Sequence, residues 1–221
     1  MIKFHPSEQH LVQYAMGELS PAMLMMVGSH VDMCPTCQMH LRDVEEQLCQ
    51  KAFGQRQVPL AQLDEEAMLN AIFQSSVKPS AASSAPLETL SLEGKRFKLP
   101  ATLARNGDRI GPWSKMLGKM WRAPIEIGSG ETLNFIYMDQ GAQVPEHTHR
   151  GFEATLVVNG VFNDESDEYR DGDFVLLDGH HKHTPQTQHE DCLTLATIDA
   201  PMHFTSGLSR LLNPFSSLFL K

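Results

Sequence analysis

The sequence predicts an α+β protein of two domains, a small bundle of about four helices followed by a β-rich domain that forms a sandwich or barrel. Three observations predict it. Residues 1–75 space their apolar side chains at three and four positions, the period of an amphipathic helix. The stretch "SVKPSAASSAP" at 76–86 is rich in Ser, Ala and Pro without apolar period, which is linker composition. Beyond it, short β-rich runs are separated by Gly, Asn and Asp, with no helical pattern between them, so the strands are expected to be antiparallel. The divisions are a helical domain over 1–75, a flexible linker over 76–92, a β domain over 93–200 and a terminal segment over 201–221.

Pro6-Ser7 opens a first helix with Leu11, Tyr14 and Ala15 on one face and Gly17 near its end. Ser20-Pro21 starts a second, with Ser as N-cap and Pro in the first turn, running through Met23, Leu24 and Val27 to about His30. A third begins near Pro35, carries Leu41, Val44 and Leu48, and is closed by Gly54. A fourth, over about 60–75, puts Leu63, Ala67 and Ala71 on one stripe beside Met68 and Ile72. The strands are "TLNFIYMD", "ATLVVNGVF", "DFVLLD" and "CLTLATID". The last residues are apolar but broken by Asn213-Pro214, and are expected to pack on the β domain or at a dimer interface.

A net charge of −9 argues against direct nucleic-acid binding, which needs a basic face. No run approaches the roughly 20 apolar residues of a membrane span, and "MIKFHPSEQH" has no signal-peptide core, so a cytoplasmic protein without membrane contact is expected. Four cysteines are too few and too unevenly spaced for a disulfide framework. Cys49 and Cys192 have no partners by spacing and read as ordinary buried thiols. Eleven histidines are the informative excess.

Two of them stand in "PEHTHRGFE". In a strand, alternate side chains share a face, so His147 and His149 point the same way, and Glu153 joins them if no bulge intervenes. A third histidine should come from another strand, best His183 in "GDFVLLDGHHKHTP". Three neutral imidazoles and one carboxylate suit Zn²⁺, Fe²⁺, Mn²⁺ or Ni²⁺. The run from Gly141 through His147, His149 and Glu153 to Gly160 resembles the first cupin motif, and Gly172-Asp173 with His183-Thr184-Pro185 resembles the second. His180 stands where that motif has a turn glycine, which leaves His180 and His181 as competitors for the ligand role. Over about 95–200 the resemblance implies a cupin β-barrel, a jelly roll with the metal inside, and it allows a homodimer through that domain.

A second cluster lies in "SHVDMCPTC". His30, Cys34 and Cys37 flank the junction of helices two and three, where thiolates gain from a helix N-terminus. With two thiolates, two neutral histidines would make a neutral Zn²⁺ site. His5 is the natural fourth ligand, with His10 and His40 as fallbacks. A redox Cys-x-x-Cys pair normally sits in a βαβ context, unlike this all-helical one.

Joined to a cupin through a Ser/Ala/Pro linker, this motif resembles the ChrR-type anti-sigma factors, with a zinc-binding anti-sigma domain at the N-terminus. The resemblance implies that residues 1–75 bind an extracytoplasmic-function sigma factor, and that the cupin is needed for its release under singlet oxygen or organic hydroperoxide. Four basic and nine acidic residues give 1–75 a charge of −5, suited to a partner with basic DNA-binding faces. Met16, Met23, Met25, Met26, Met33 and Met39 either line an adaptable binding surface or fill the small core. The alternative is a metal-dependent cupin dioxygenase or isomerase with a helical appendage; a regulator, not an enzyme, is the expectation.

Overall fold

The computed structural model describes all residues except 55–63, 76–85, 129, 150, 208–209, 211–212 and 214–221. Four helices come first: α1 (Glu8–Met16), α2 (Pro21–Met33), α3 (Pro35–Phe53) and α4 (Glu65–Gln74). Their ends follow from cap chemistry. The Ser7 and Ser20 hydroxyls accept from the amides of His10 and Met23. Gly17 ends α1 in the left-handed region at φ 70°, where its amide reaches the last carbonyls. Cys34 ends α2 and begins α3, and its sulfur accepts from the Cys37 amide. Helix two runs one turn beyond the expected end. The fourth helix begins at Glu65, and the 60–63 part of its expected span lies outside the described residues.

The rest is β-rich. A hairpin of β1 (Thr89–Leu92) and β2 (Lys95–Lys98) leads through the short α5 (Ala101–Arg105) to β3 (Ser114–Lys115). There follow β4 (Met120–Ile125), β5 (Leu133–Met138), β6 (His147–Thr148), β7 (Phe152–Asn163), β8 (Glu168–Arg170), β9 (Phe174–Asp178), β10 (Cys192–Ile198) and β11 (His203–Phe204). The main sheet runs β3-β4-β5-β10-β7-β8, with β9 also on β7, and every pairing is antiparallel. The facing side is looser, made of the β6–β11 pair and single bridges at Gln143–Gln186, His147–His183 and Asn163–Gln186. This is a cupin fold whose hydrogen-bonded barrel is incompletely closed. The β1 strand lies inside the 76–92 segment expected as linker, so only part of that expectation remains; residues 76–85 lie outside the described residues.

Alternation along the strands divides the interior. Leu133, Phe135 and Tyr137 of β5 join a core that also holds Leu11, Met26 and Val27 from the helices. Ile136 and Met138 face the other way, into the barrel, with Met120, Met202 and Phe204. The strand is therefore buried on both faces, which is why "TLNFIYMD" reads as a nearly continuous apolar run. α2 is the covering element. Eight of its residues, Ala22, Met23 and Met25 to His30, are buried, since it packs on α1 and α3 on one side and on α5, β7 and β10 on the other. Helical module and barrel thus share one apolar core.

Candidate metal centres

His5, His30, Cys34 and Cys37 converge, as do His147, His149, Glu153 and His183; within each group one ligand atom per residue lies within 4.8 Å of all the others. These are the eight residues that spacing and motif single out. The competitors stay away. His10 bonds Ser7, and His40 is exposed. His180 is exposed, and His181 pairs with Asp178 at the surface. Cys49 is also exposed, contrary to expectation, because it sits on the outer face of α3; Cys192 is buried.

In the N-terminal group His5 Nδ1 lies 3.4 Å from Cys34 Sγ and 3.5 Å from Cys37 Sγ, and His30 Nε2 lies 3.3 Å from Cys37 Sγ. Zn–S of about 2.3 Å and Zn–N of about 2.0–2.1 Å at tetrahedral angles require an S···N edge of roughly 3.6 Å, so the donors fit zinc closely. Nδ1 of His30 is 2.7 Å from the carbonyl oxygen of Gly172, which can only accept. That fixes the proton on Nδ1 and leaves Nε2 bare toward the sulfurs. Burial lowers His30 to about 4, holding it neutral. Burial and the adjacent Cys34 sulfur push the Cys37 thiol up to about 12. To stand side by side as thiolates the two sulfurs would need a cation, which a divalent metal would supply.

The barrel group is built on the β6–β7 segment and the His183 bridge. His147 and His183 are bridge partners, which sets their Nε2 atoms 3.0 Å apart. β6 ends at Thr148 and β7 begins at Phe152, yet Glu153 turns inward from β7, with Oε2 2.9 Å from His149 Nε2 and 3.2 Å from His183 Nε2. All four residues are buried. Both ring nitrogens of His149 and Oε2 of Glu153 nonetheless lack a hydrogen-bond partner of good geometry. Close, buried lone pairs that miss one another but share a centre are what an ion demands; without one, orphaned buried polar atoms cost about 1–3 kcal/mol each. His147 donates from Nδ1 to the Pro145 carbonyl at 2.9 Å, again leaving Nε2 for the centre. Burial lowers His147 to about 4. Burial also opposes charge on His183, but Asp164 and Glu153 outweigh it and raise that ring to about 9.

Sequence reasoning passed over Asp164, which has no motif position. It follows β7 directly, and its Oδ2 lies 3.5 Å from His183 Nδ1, the place of a carboxylate that orients a metal-bound histidine. It also passed over a cavity of about 270 Å³ whose wall includes Met116, Met120, Met138, Phe162 and Met202 and whose floor includes His147, Glu153 and His183. No period marks those methionines, because Met120 and Met138 come from two different strands and Met116 and Met202 from loops. Among the described residues no helix is long and apolar enough to cross a membrane.

The ChrR cupin-like domain matches residues 109–202. The chain is similar to the anti-sigma-E factor ChrR of Cereibacter sphaeroides, 29% identical over 224 residues, covering 97% of this chain and 98% of that protein. It is similar to a crystal structure described as Rhodobacter sphaeroides SigE in complex with the anti-sigma ChrR, with TM-score 0.69, 28% identity, 90% of this chain and 100% of the matched chain covered. A cupin protein from Ralstonia eutropha matches at TM-score 0.40 and 18% identity, covering 52% of this chain and 87% of that one.

Proposed function

We propose that this chain, which belongs to the ChrR type of two-domain proteins, is an anti-sigma factor that sequesters an extracytoplasmic-function sigma factor through residues 1–75. The observation that carries the reading is similarity along nearly the whole chain, helical module and barrel together, to a structure of a sigma factor held by its anti-sigma partner. The helical module supports it physically. Every described side chain of α4 is exposed, among them Met68, Leu69, Ile72 and Phe73, the last at 82%. A ten-residue helix with its apolar face in water is marginal by itself and gains stability from a partner that covers it. Met16, Met39 and Phe53 extend the exposed apolar surface on α1 and α3. The methionines therefore divide: Met23, Met25 and Met26 fill the core, while Met16 and Met39 are free to serve a partner.

His5, His30, Cys34 and Cys37 hold Zn²⁺ in this reading, and a closed zinc site is part of the module's folding free energy. The barrel residues His147, His149, Glu153 and His183 hold a divalent ion. Edges of 2.9–3.2 Å suit right angles at metal–ligand lengths of about 2.1 Å, whereas tetrahedral angles need about 3.4 Å. Six-coordination would leave positions open toward the cavity, so that Zn²⁺, Fe²⁺, Mn²⁺ or Ni²⁺ could meet an oxidant there. The barrel, residues 93–200, is then the sensor, and singlet oxygen or organic hydroperoxide the release signal. In a transcription assay with core polymerase and the host's extracytoplasmic-function sigma factor, the full chain suppresses initiation. The Cys34→Ala/Cys37→Ala chain does not, and loses one of two bound metals. Suppression by that variant equal to the native chain's would contradict the reading.

A further inference from the structure

We propose that the turn between β8 and β9 of the barrel is a working part of the N-terminal metal site: Gly172 and Asp173 position its two histidines, so the helical module retains its metal only while that turn stays in place. The proposal rests on the reading of His5, His30, Cys34 and Cys37 as metal ligands.

The cluster is assembled from two kinds of support. Its cysteines belong to the helical module, since Cys34 caps α3 and Cys37 lies in its first turn. Its histidines are held from the barrel. The Gly172 carbonyl fixes the proton and ring plane of His30, as described. His5 is exposed, so its place depends on the segment before it, and the barrel grips that segment. Asp173 is 2% exposed. Its Oδ1 accepts from the Lys3 amide at 2.6 Å and the Phe4 amide at 3.0 Å, while Oδ2 accepts from the Arg170 amide at 2.8 Å and closes the turn. The Phe174 amide then donates to the Phe4 carbonyl at 3.0 Å, one residue before His5. Gly172 has φ 88°, so the turn needs glycine for its backbone, and the Ile2 side chain packs against it.

The same turn is tied to the strand that carries Glu153. Gly172 donates to the Val157 carbonyl at 2.8 Å, and Val157 donates to the Asp173 carbonyl at 3.0 Å. Beyond the turn, β9 pairs with β7 so that Leu177 lies opposite Glu153. A shift of β9 against β7 at the barrel metal therefore moves the support of both N-terminal histidines at once.

The test uses the full chain and measures zinc affinity of the N-terminal site by competition with a chromophoric chelator, with Co²⁺ absorption as a second readout of the thiolate ligands. Asp173→Ala lowers that affinity by about 10–100-fold and weakens the sulfur-to-cobalt band, while the barrel site keeps its metal. Asp173→Asn retains an acceptor for the Lys3 and Phe4 amides but turns a donor toward the Arg170 amide, so its affinity falls between those of Asp173→Ala and the native chain. Nitrogen-15 spectra of the His30 ring show the Nδ1–H form in the native chain and a mixture in Asp173→Ala. Lys3→Pro removes one amide donor together with the Lys3 Nζ–Asp167 ion pair and leaves every barrel residue in place; it lowers zinc affinity in the same direction. Unchanged affinity and an unchanged His30 ring in Asp173→Ala, with the barrel metal retained, would overturn the proposal. Should Asp173→Ala lose both metals through misfolding, Lys3→Pro decides, and native affinity in that variant overturns it. Equal metal content in the native and Cys34→Ala/Cys37→Ala chains would instead refute the ligand assignment itself, and the proposal with it.

Discussion

At His30, His147 and His183 the chemistry is decided by the neighbour of the far ring nitrogen. Gly172 and Pro145 carbonyls accept from two of these rings, and the Asp164 carboxylate faces the third. Each leaves Nε2 for the centre of its own cluster. Asp164→Ala is therefore expected to lower metal affinity of the barrel site by about 10–100-fold without altering the ligand set, measured by equilibrium dialysis against a metal buffer. Unchanged affinity would mean that Asp164 only neutralises His183. At this scale the sequence was informative where ligands follow a fixed spacing. His147, His149 and Glu153 lie within seven residues, and His30, Cys34 and Cys37 within eight. It was silent on Asp164, Gly172 and Asp173 as supports, because their partners lie 19, 142 and 169–170 residues away, and no local pattern records such distances.

Among the elements, α1, α2 and α3 were legible because each carries its own start and stop signal: Ser7 and Gly17, Ser20 with Pro21, Pro35 and Gly54. The long strands β5, β7, β9 and β10 were legible from their β-rich runs. The hairpin of β1 and β2 was not, since Lys95, Arg96 and Lys98 surround the one buried residue of β2, Phe97, and β1 falls within the segment of linker composition. β4 carries Pro124, which argues against a central strand; β3 reaches only Trp121 and Arg122, and beside Pro124 there is just the single Ile110–Ile125 bridge, where the Pro124 carbonyl accepts from the Gly111 amide. His147, His149 and Glu153 share a face only if one strand carries all three; instead β6 ends at Thr148 and β7 begins at Phe152. α4 is the element whose burial pattern makes no sense for the chain alone. Replacing Leu69 and Phe73 by Asp should leave thermal stability within about 0.5 kcal/mol, because both side chains are exposed. The same change should weaken sigma binding by about tenfold or more per residue, where tenfold is 1.4 kcal/mol. Loss of stability without loss of binding would place the docking face elsewhere.

Over the whole molecule, the apolar cluster that holds Leu11, Met26 and Val27 also holds Leu103, Ala123, Phe135, Leu156 and Leu195. The composition change near residue 80 pointed to two separate bodies; the packing of α2 against β7 and β10 makes them neighbours in one core. A sequence period reports which face of a helix is apolar, but not that α2 is apolar all round because two modules claim it. Met26 is fully buried at that junction. Met26→Ala should cost about 2–5 kcal/mol and lower one cooperative calorimetric transition of the metal-loaded chain. Two transitions, only one of them shifted, would show that the halves unfold independently. This shared core ties the barrel directly to α1 and α2, which a flexible tether would not. The most direct test of the anti-sigma account is equilibrium binding of the purified, metal-loaded full chain to each of the host's extracytoplasmic-function sigma factors. One of them should bind at a ratio of one to one, and the Leu69→Asp/Phe73→Asp chain should bind it far more weakly. Binding to none, by a chain that is folded and carries both metals, would contradict the account.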